Sequence, residues 1–114
     1  MKVLVVDDDE GDQIIIEFAL NAMGIESDKC FDSSMAISKA ELGDYDAVLV
    51  DYHMPIIDGC ELLGMIHEKK PNLDSYLVTG MPKDHFKKTR CPYTKDIISK
   101  DGLIKNLRAV FCGV

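Results

Sequence analysis

Nowhere in this 114-residue chain does an uncharged apolar run approach the roughly 18 to 20 residues needed to span a bilayer. The opening Met1-Lys2-Val3-Leu4-Val5-Val6 meets Asp7, Asp8 and Asp9 too soon to supply the apolar core of about 7 to 15 residues of an export signal. These absences predict a soluble chain with no membrane partner, in a reducing cytoplasm. Basic charge is scarce as well: 13 Lys and Arg against 20 Asp and Glu leave a formal net charge of −7, the wrong sign for coating a phosphate backbone, so no direct nucleic-acid binding is expected. The cysteines Cys30, Cys60, Cys91 and Cys112 form no CxxC pair of the zinc or redox type and are expected to be reduced thiols acting as small hydrophobes. His53, His67 and His85 likewise lack metal-ligand spacing. No GxGxxG or P-loop follows the first apolar run, which disfavours a nucleotide-binding domain. Linkers, repeats and low-complexity tracts are missing too, and the length is near that of one typical domain, so residues 1–114 read as a single domain.

What is present is an alternation. Lys2 to Val6 is a β-branched apolar run suited to a strand buried on both faces, and it stops at carboxylates. Asp12 offers an N-cap for a helix from Gln13 to Met23, with Ile15, Phe18, Ala19, Ala22 and Met23 at helical spacing and Gly24 as its stop. Ser27 to Phe31 reads as a weaker strand, and Ser33 or Ser34 can cap a helix through Leu42. Ala47 to Val50 is a buried strand running into Asp51, followed by a loop at Met54-Pro55 and Asp58-Gly59 and a helix from Glu61 to Lys70. Ser75 to Val78 forms a fourth strand, Pro82 to Lys88 a short helix of thin apolar content, Asp96 to Ser99 a fifth strand, and Gly102 to Phe111 a last helix.

Five such units at about 23 residues each fit a strand, a helix and two short loops. Strict alternation implies a parallel sheet with helices on both faces, and the known small solution is a doubly wound five-stranded sheet of order 2-1-3-4-5, flavodoxin-like. Its ligand crevice lies at the carboxyl ends of the first and third strands, where the winding reverses.

The polar residues fall at that rim. Asp7 and Asp8 follow the first strand and Asp51 the third, so three carboxylates converge. Their mutual repulsion calls for a cation, and an open all-oxygen site suits Mg²⁺ better than Zn²⁺. Thr79 and Lys100 add a hydroxyl and an ammonium from the ends of the fourth and fifth strands, a set able to clamp a transferring phosphoryl group. Asp51 is the candidate nucleophile, since carboxylates form acyl phosphates. Gly59 and backbone donors near Asp51 and Gly80 could approach an anion closely.

These residues, Asp7-Asp8 after Val3-Leu4-Val5-Val6, Asp51 to Pro55 with Asp58-Gly59, Thr79-Gly80 and Lys100, resemble in order and spacing the receiver domain of two-component response regulators, the CheY-like fold, over essentially the full chain. The resemblance implies that Asp51 accepts a phosphoryl group from a phosphohistidine on a histidine kinase or phosphotransfer protein. It implies that Asp7, Asp8, Asp51 and the backbone carbonyl of His53 hold Mg²⁺, and that Thr79 and Lys100 bind phosphoryl oxygens. It further implies a population shift in the surface around the fourth and fifth strands, read by a downstream protein effector. Such a chain is a docking switch that catalyses only its own phosphorylation and dephosphorylation. With only Gly113 and Val114 after the last helix, no output domain is expected within it.

Departures from the family pattern qualify the output. Ile97 stands where the family commonly has an inward-swinging aromatic, and Asp101 where a Pro commonly follows the Lys in a cis bond. They motivate an alternative, a degenerate receiver that docks independently of phosphorylation. A Mg²⁺-dependent aspartyl phosphatase is disfavoured, because His53 occupies the place of its second carboxylate. His53 and Met81 are expected either to flank the acyl phosphate, giving slow self-dephosphorylation, or to point to solvent and pack on the loop. Lys83, Lys87, Lys88 and Arg90 form a local basic patch, either a partner surface or solvated charge.

Overall fold

Alternation of side chains across three central strands divides the core into two layers, each closed by a pair of helices. In the computed structural model, which describes residues 1–82, 86 and 91–113, the elements are β1 (Lys2–Val6), α1 (Glu10–Ala22), β2 (Glu26–Cys30), α2 (Ser33–Leu42), β3 (Ala47–Asp51), α3 (Gly59–Lys69), β4 (Asp74–Thr79), β5 (Asp96–Ser99) and α4 (Leu103–Cys112). All strand pairs are parallel and the order is β2-β1-β3-β4-β5. Leu4, Val6, Val48, Val50 and Leu77 face α2 and α3 through Ala36, Ala40, Leu62, Leu63 and Ile66. Val3, Val5, Leu49, Val78 and Ile98 face α1 and α4 through Ile16, Leu20, Leu103 and Leu107. Burial on both faces is why β1 and β3 read as apolar runs and β4 carries Tyr76-Leu77-Val78, whereas β2 lies at an edge and is polar. Among the described residues no helix is long and apolar enough to cross a membrane.

Three expectations are corrected. The N-cap of α1 is Asp9 and not Asp12: the Asp9 carboxylate accepts from Asp12 N at 2.8 Å, so the helix starts three residues earlier with Glu10 and Asp12 at the positive end of its dipole. The inward face of α1 is Gln13, Ile16, Ala19 and Leu20, leaving Ile15 and Phe18 exposed, the latter at 69%. Gln13 sets that phase, because its buried amide donates to Val5 O, Asp7 O and Cys30 O at 2.9 to 3.1 Å. Finally, Cys60 and Cys91 are joined by a disulfide, with Cα atoms 5.1 Å apart, and only Cys30 and Cys112 are free. The two lie 31 positions apart in sequence, and Cys91 meets α3 on the side where Tyr93 stacks on His67.

Smaller adjustments follow the same local chemistry. Asp32, not Ser33 or Ser34, caps α2, accepting from Met35 N and from the Ser34 hydroxyl. Asp58 caps α3 through Glu61 N, and Gly102 begins α4 from the left-handed region at φ 73°. The short helix expected over Pro82 to Lys88 falls largely outside the described residues, and so does the basic patch of Lys83, Lys87, Lys88 and Arg90.

Candidate functional site

Parallel pairing ends β1, β3, β4 and β5 at one rim: Val6 is opposite Val50, Asp51 opposite Val78, and Thr79 opposite Ser99. The residues that follow or close these strands therefore share a crevice. One carboxylate oxygen from each of Asp7, Asp8 and Asp51 lies within 4.8 Å of the others. Asp7 and Asp51 are buried, at 1% and 5% exposure, and Asp8 is exposed. Lys100 Nζ reaches into the group at 3.0 Å from Asp51 Oδ1 and 3.6 Å from Asp7 Oδ2. Its shortest contact, 2.6 Å, is to Asp12 Oδ2 on the first turn of α1. One ammonium thus contacts three carboxylates, and Asp8 adds a fourth to the group.

The electrostatics follow from that imbalance. Burial pushes Asp7 up to about 6, with the Asp51 charge adding to the rise while Asp9 N–H and Lys100 oppose it. Asp51 is also raised, chiefly by burial, against the hydrogen bond and charge of Lys100. For Lys100 burial alone would favour the neutral amine, but the contacts to Asp12, Asp51 and Asp7 outweigh it and hold the ammonium above its ordinary value. Asp7 Oδ1 accepts from Asp9 N at 2.9 Å, but Asp7 Oδ2 is buried without a hydrogen bond. An unsatisfied buried carboxylate oxygen beside two further carboxylates fits a hard divalent cation taking oxygen ligands.

Around this cluster the backbone is held tightly. Lys100 N donates to Thr79 O at 2.8 Å, and Tyr52 N to Val78 O at 2.9 Å. Thr79 is fully buried, and its Oγ1 accepts from Met81 N at 3.0 Å. Gly59 N donates to Tyr52 O, and a Cβ at Gly59 would stand 2.5 Å from Asp51 O and 2.8 Å from Tyr52 Cα. That glycine is required by the approach of α3 to the strand-end backbone, whereas Gly80 has open space beside it. The His53 ring is exposed and stands edge-on to Tyr52 at 5.0 Å, and Met81 packs on the apolar cluster containing Tyr52.

The structure therefore brings together Asp7, Asp8, Asp51, Thr79 and Lys100. Sequence reasoning missed Asp12 as a partner of Lys100 and Gln13 as the anchor of the Asp7 carbonyl. Reading Asp9 as the cap would have exposed the first, since it moves Asp12 into a helical first turn at the rim.

Comparison with known proteins gives the class. Residues 3–111 match the response regulator receiver domain family, and the chain belongs to it. The sensor protein EvgS of Escherichia coli K12 is 28% identical over 80 residues, covering 70% of this chain and 7% of that protein. The C4-dicarboxylate transport transcriptional regulatory protein DctD of Pseudomonas aeruginosa is 34% identical over 80 residues, 69% of this chain and 17% of that protein. The chain thus spans a small part of both relatives. Response regulator TrrA of Thermotoga maritima, solved with Mg²⁺ and BeF, superposes with a TM-score of 0.89 at 26% identity, covering 98% of this chain and 96% of that one. The receiver domain of sensor histidine kinase PA1611 of Pseudomonas aeruginosa, solved with magnesium in its active-site cleft, gives 0.81 at 23% identity over 96% and 92% of the two chains. Receiver domains of two-component systems are phosphorylation switches and not classical enzymes.

Proposed function

We propose that Asp51 is the phosphoacceptor of a switch formed by residues 1–114, taking a phosphoryl group from a phosphohistidine on a histidine kinase or phosphotransfer protein. The observation that carries this is the buried Asp51 carboxylate, 3.0 Å from Lys100 and within 4.8 Å of Asp7 and Asp8 oxygens. A carboxylate oxygen of Asp51 bonds to phosphorus as the bond from phosphorus to the imidazole nitrogen breaks. Asp7, Asp8, Asp51 and the His53 carbonyl are the ligands for Mg²⁺, which would neutralise charge on the transferring oxygens. Lys100 supplies a fixed positive charge to the same oxygens, and the Thr79 hydroxyl donates to one of them. A Thr79 side chain drawn inward releases Met81 N, the start of the connection to β5, so occupancy of Asp51 is transmitted to a docking surface for a protein effector. The chain catalyses only its own phosphorylation and dephosphorylation.

Incubation with acetyl phosphate and Mg²⁺ followed by intact mass tests the assignment. One phosphoryl group is expected on the wild type and none on Asp51→Asn. An unmodified wild type that binds Mg²⁺ refutes it.

A further inference from the structure

The connection from β4 to β5 is fastened at two ends by different chemistry. At its start Met81 N donates to the Thr79 hydroxyl. At its end Cys91, buried at 3% exposure, is joined to Cys60 in the first turn of α3. The residue before Cys60 is Gly59, whose backbone lies against Asp51 O and Tyr52. The disulfide therefore ties the first turn of α3, which abuts Asp51 O and Tyr52, to Cys91 near the end of the β4–β5 connection. Packing continues this clamp. Phe86 stands edge-on to Tyr52 at 4.7 Å, and Tyr93 stacks on His67 of α3 at 4.3 Å. On the sheet side, Lys95 N donates to Ser75 O and the Thr94 hydroxyl accepts from Leu77 N. The other two cysteines lie elsewhere: Cys30 is buried with Sγ at 3.2 Å from Asp32 O, and Cys112 ends α4.

We propose that Cys60 and Cys91 are a reversible redox modification site whose oxidised form holds residues 91–95, the end of the β4–β5 connection, on α3 and opposes the Thr79-linked rearrangement. The inference rests on the reading of Asp51 as phosphoacceptor for its output, but not for the thiol chemistry. The co-reactant is a low-molecular-weight disulfide of the glutathione class. Cys60 is the less buried residue of the pair, Cys91 being 3% exposed, and is assigned the first step. Its thiolate attacks the small disulfide and releases one thiol. The Cys91 thiolate then displaces the second from the mixed disulfide, so two electrons and two protons pass to the small molecule. Reduction runs the same steps backwards. Because oxidation and phosphoryl occupancy bias one element, their effects are reciprocal.

The test uses the full chain in glutathione buffers of graded poise, with free thiols counted by alkylation and mass. Beryllofluoride with Mg²⁺ serves as the phosphoryl mimic. The wild type is expected to pass from four free thiols to two in one two-electron step and to bind beryllofluoride on the order of tenfold more weakly when oxidised. Reciprocity then requires the beryllofluoride complex to be easier to reduce by about 30 mV. Cys60→Ser and Cys91→Ser should bind the mimic equally in both buffers. Four free thiols at every poise, equal affinity of the two wild-type forms, or a redox response retained in either variant overturns the proposal. If neither redox form takes the mimic while the two-thiol step persists, the phosphoacceptor reading has failed and the coupling fails with it, the thiol pair itself being sustained.

Discussion

Replacing Asp7 by Asn should stabilise the metal-free protein at neutral pH. The Asp7 carboxyl is held at about 6 against an ordinary 3.8, mainly by burial, so the fold prefers it protonated. A shift of about two pH units corresponds to roughly 3 kcal/mol lost when the group ionises. Asparagine removes that charge and keeps the oxygen that accepts from Asp9 N. Its amide nitrogen would occupy the place of Oδ2, a buried atom with no hydrogen bond, which costs about 1 kcal/mol. The net gain expected is about 1 to 2 kcal/mol.

The pH dependence fixes the sign. A raised carboxyl pKa means that the folded chain binds the proton more tightly than the unfolded chain. Wild-type stability therefore falls as pH rises from near 4 to near 6, and the loss is complete above that. Urea unfolding of both proteins in EDTA should show the variant ahead at pH 7.5, with most of that lead gone at pH 4. Added Mg²⁺ should stabilise the wild type and leave the variant nearly unmoved. A variant less stable than wild type at pH 7.5 in EDTA, or a lead unchanged at pH 4, refutes the reasoning.

Three further substitutions probe what supports the rim. Gly59→Ala forces a methyl group into the Asp51–Tyr52 backbone and should cost about 2 to 3 kcal/mol by urea unfolding, with slower phosphoryl uptake; a neutral effect contradicts the close approach. Gln13→Leu strips the donor from three carbonyls and should cost about 2 kcal/mol while weakening Mg²⁺ binding, measured by calorimetry; unchanged affinity would show that the Asp7 carbonyl needs no anchor. Ile56 is 98% exposed at φ 77°, with Ile57 N donating to Pro55 O across it, a γ-turn that a β-branched residue resists. Ile56→Gly should therefore stabilise the chain by about 0.5 to 1 kcal/mol despite glycine's entropy, and a lower urea midpoint would contradict the strain.

Sheet and rim were legible because their signal is local. A strand covered on both faces must be apolar throughout, so β1 and β3 announce themselves, and the carboxylates that end them need no tertiary knowledge to be noticed. The face of α1 was not legible, because one polar residue sits in the buried phase. Gln13 breaks the apolar period, and its amide is explained only by carbonyls of β1, β2 and the loop between β1 and α1. The same holds for the disulfide, whose two cysteines are reconciled only by the packing of a connection on α3.

Lys100 shows why the boundary falls there. Its place after the fifth strand could be read from the strand pattern, but its shortest contact is with a residue 88 positions away that looked like a cap. Strand ends are fixed by topology and their side chains meet whatever the helices do. Asp12 meets Lys100 only because Asp9 starts the helix early, so a one-turn choice at an N-terminus decides how the ammonium is shared among carboxylates. At its 2.6 Å contact Asp12 competes with Asp51, at 3.0 Å, for the ammonium. On the proposed reading of Asp51 as phosphoacceptor, a phosphoryl group there would compete with Asp12 for Lys100, which would couple the first turn of α1 to the chemistry at the end of β3.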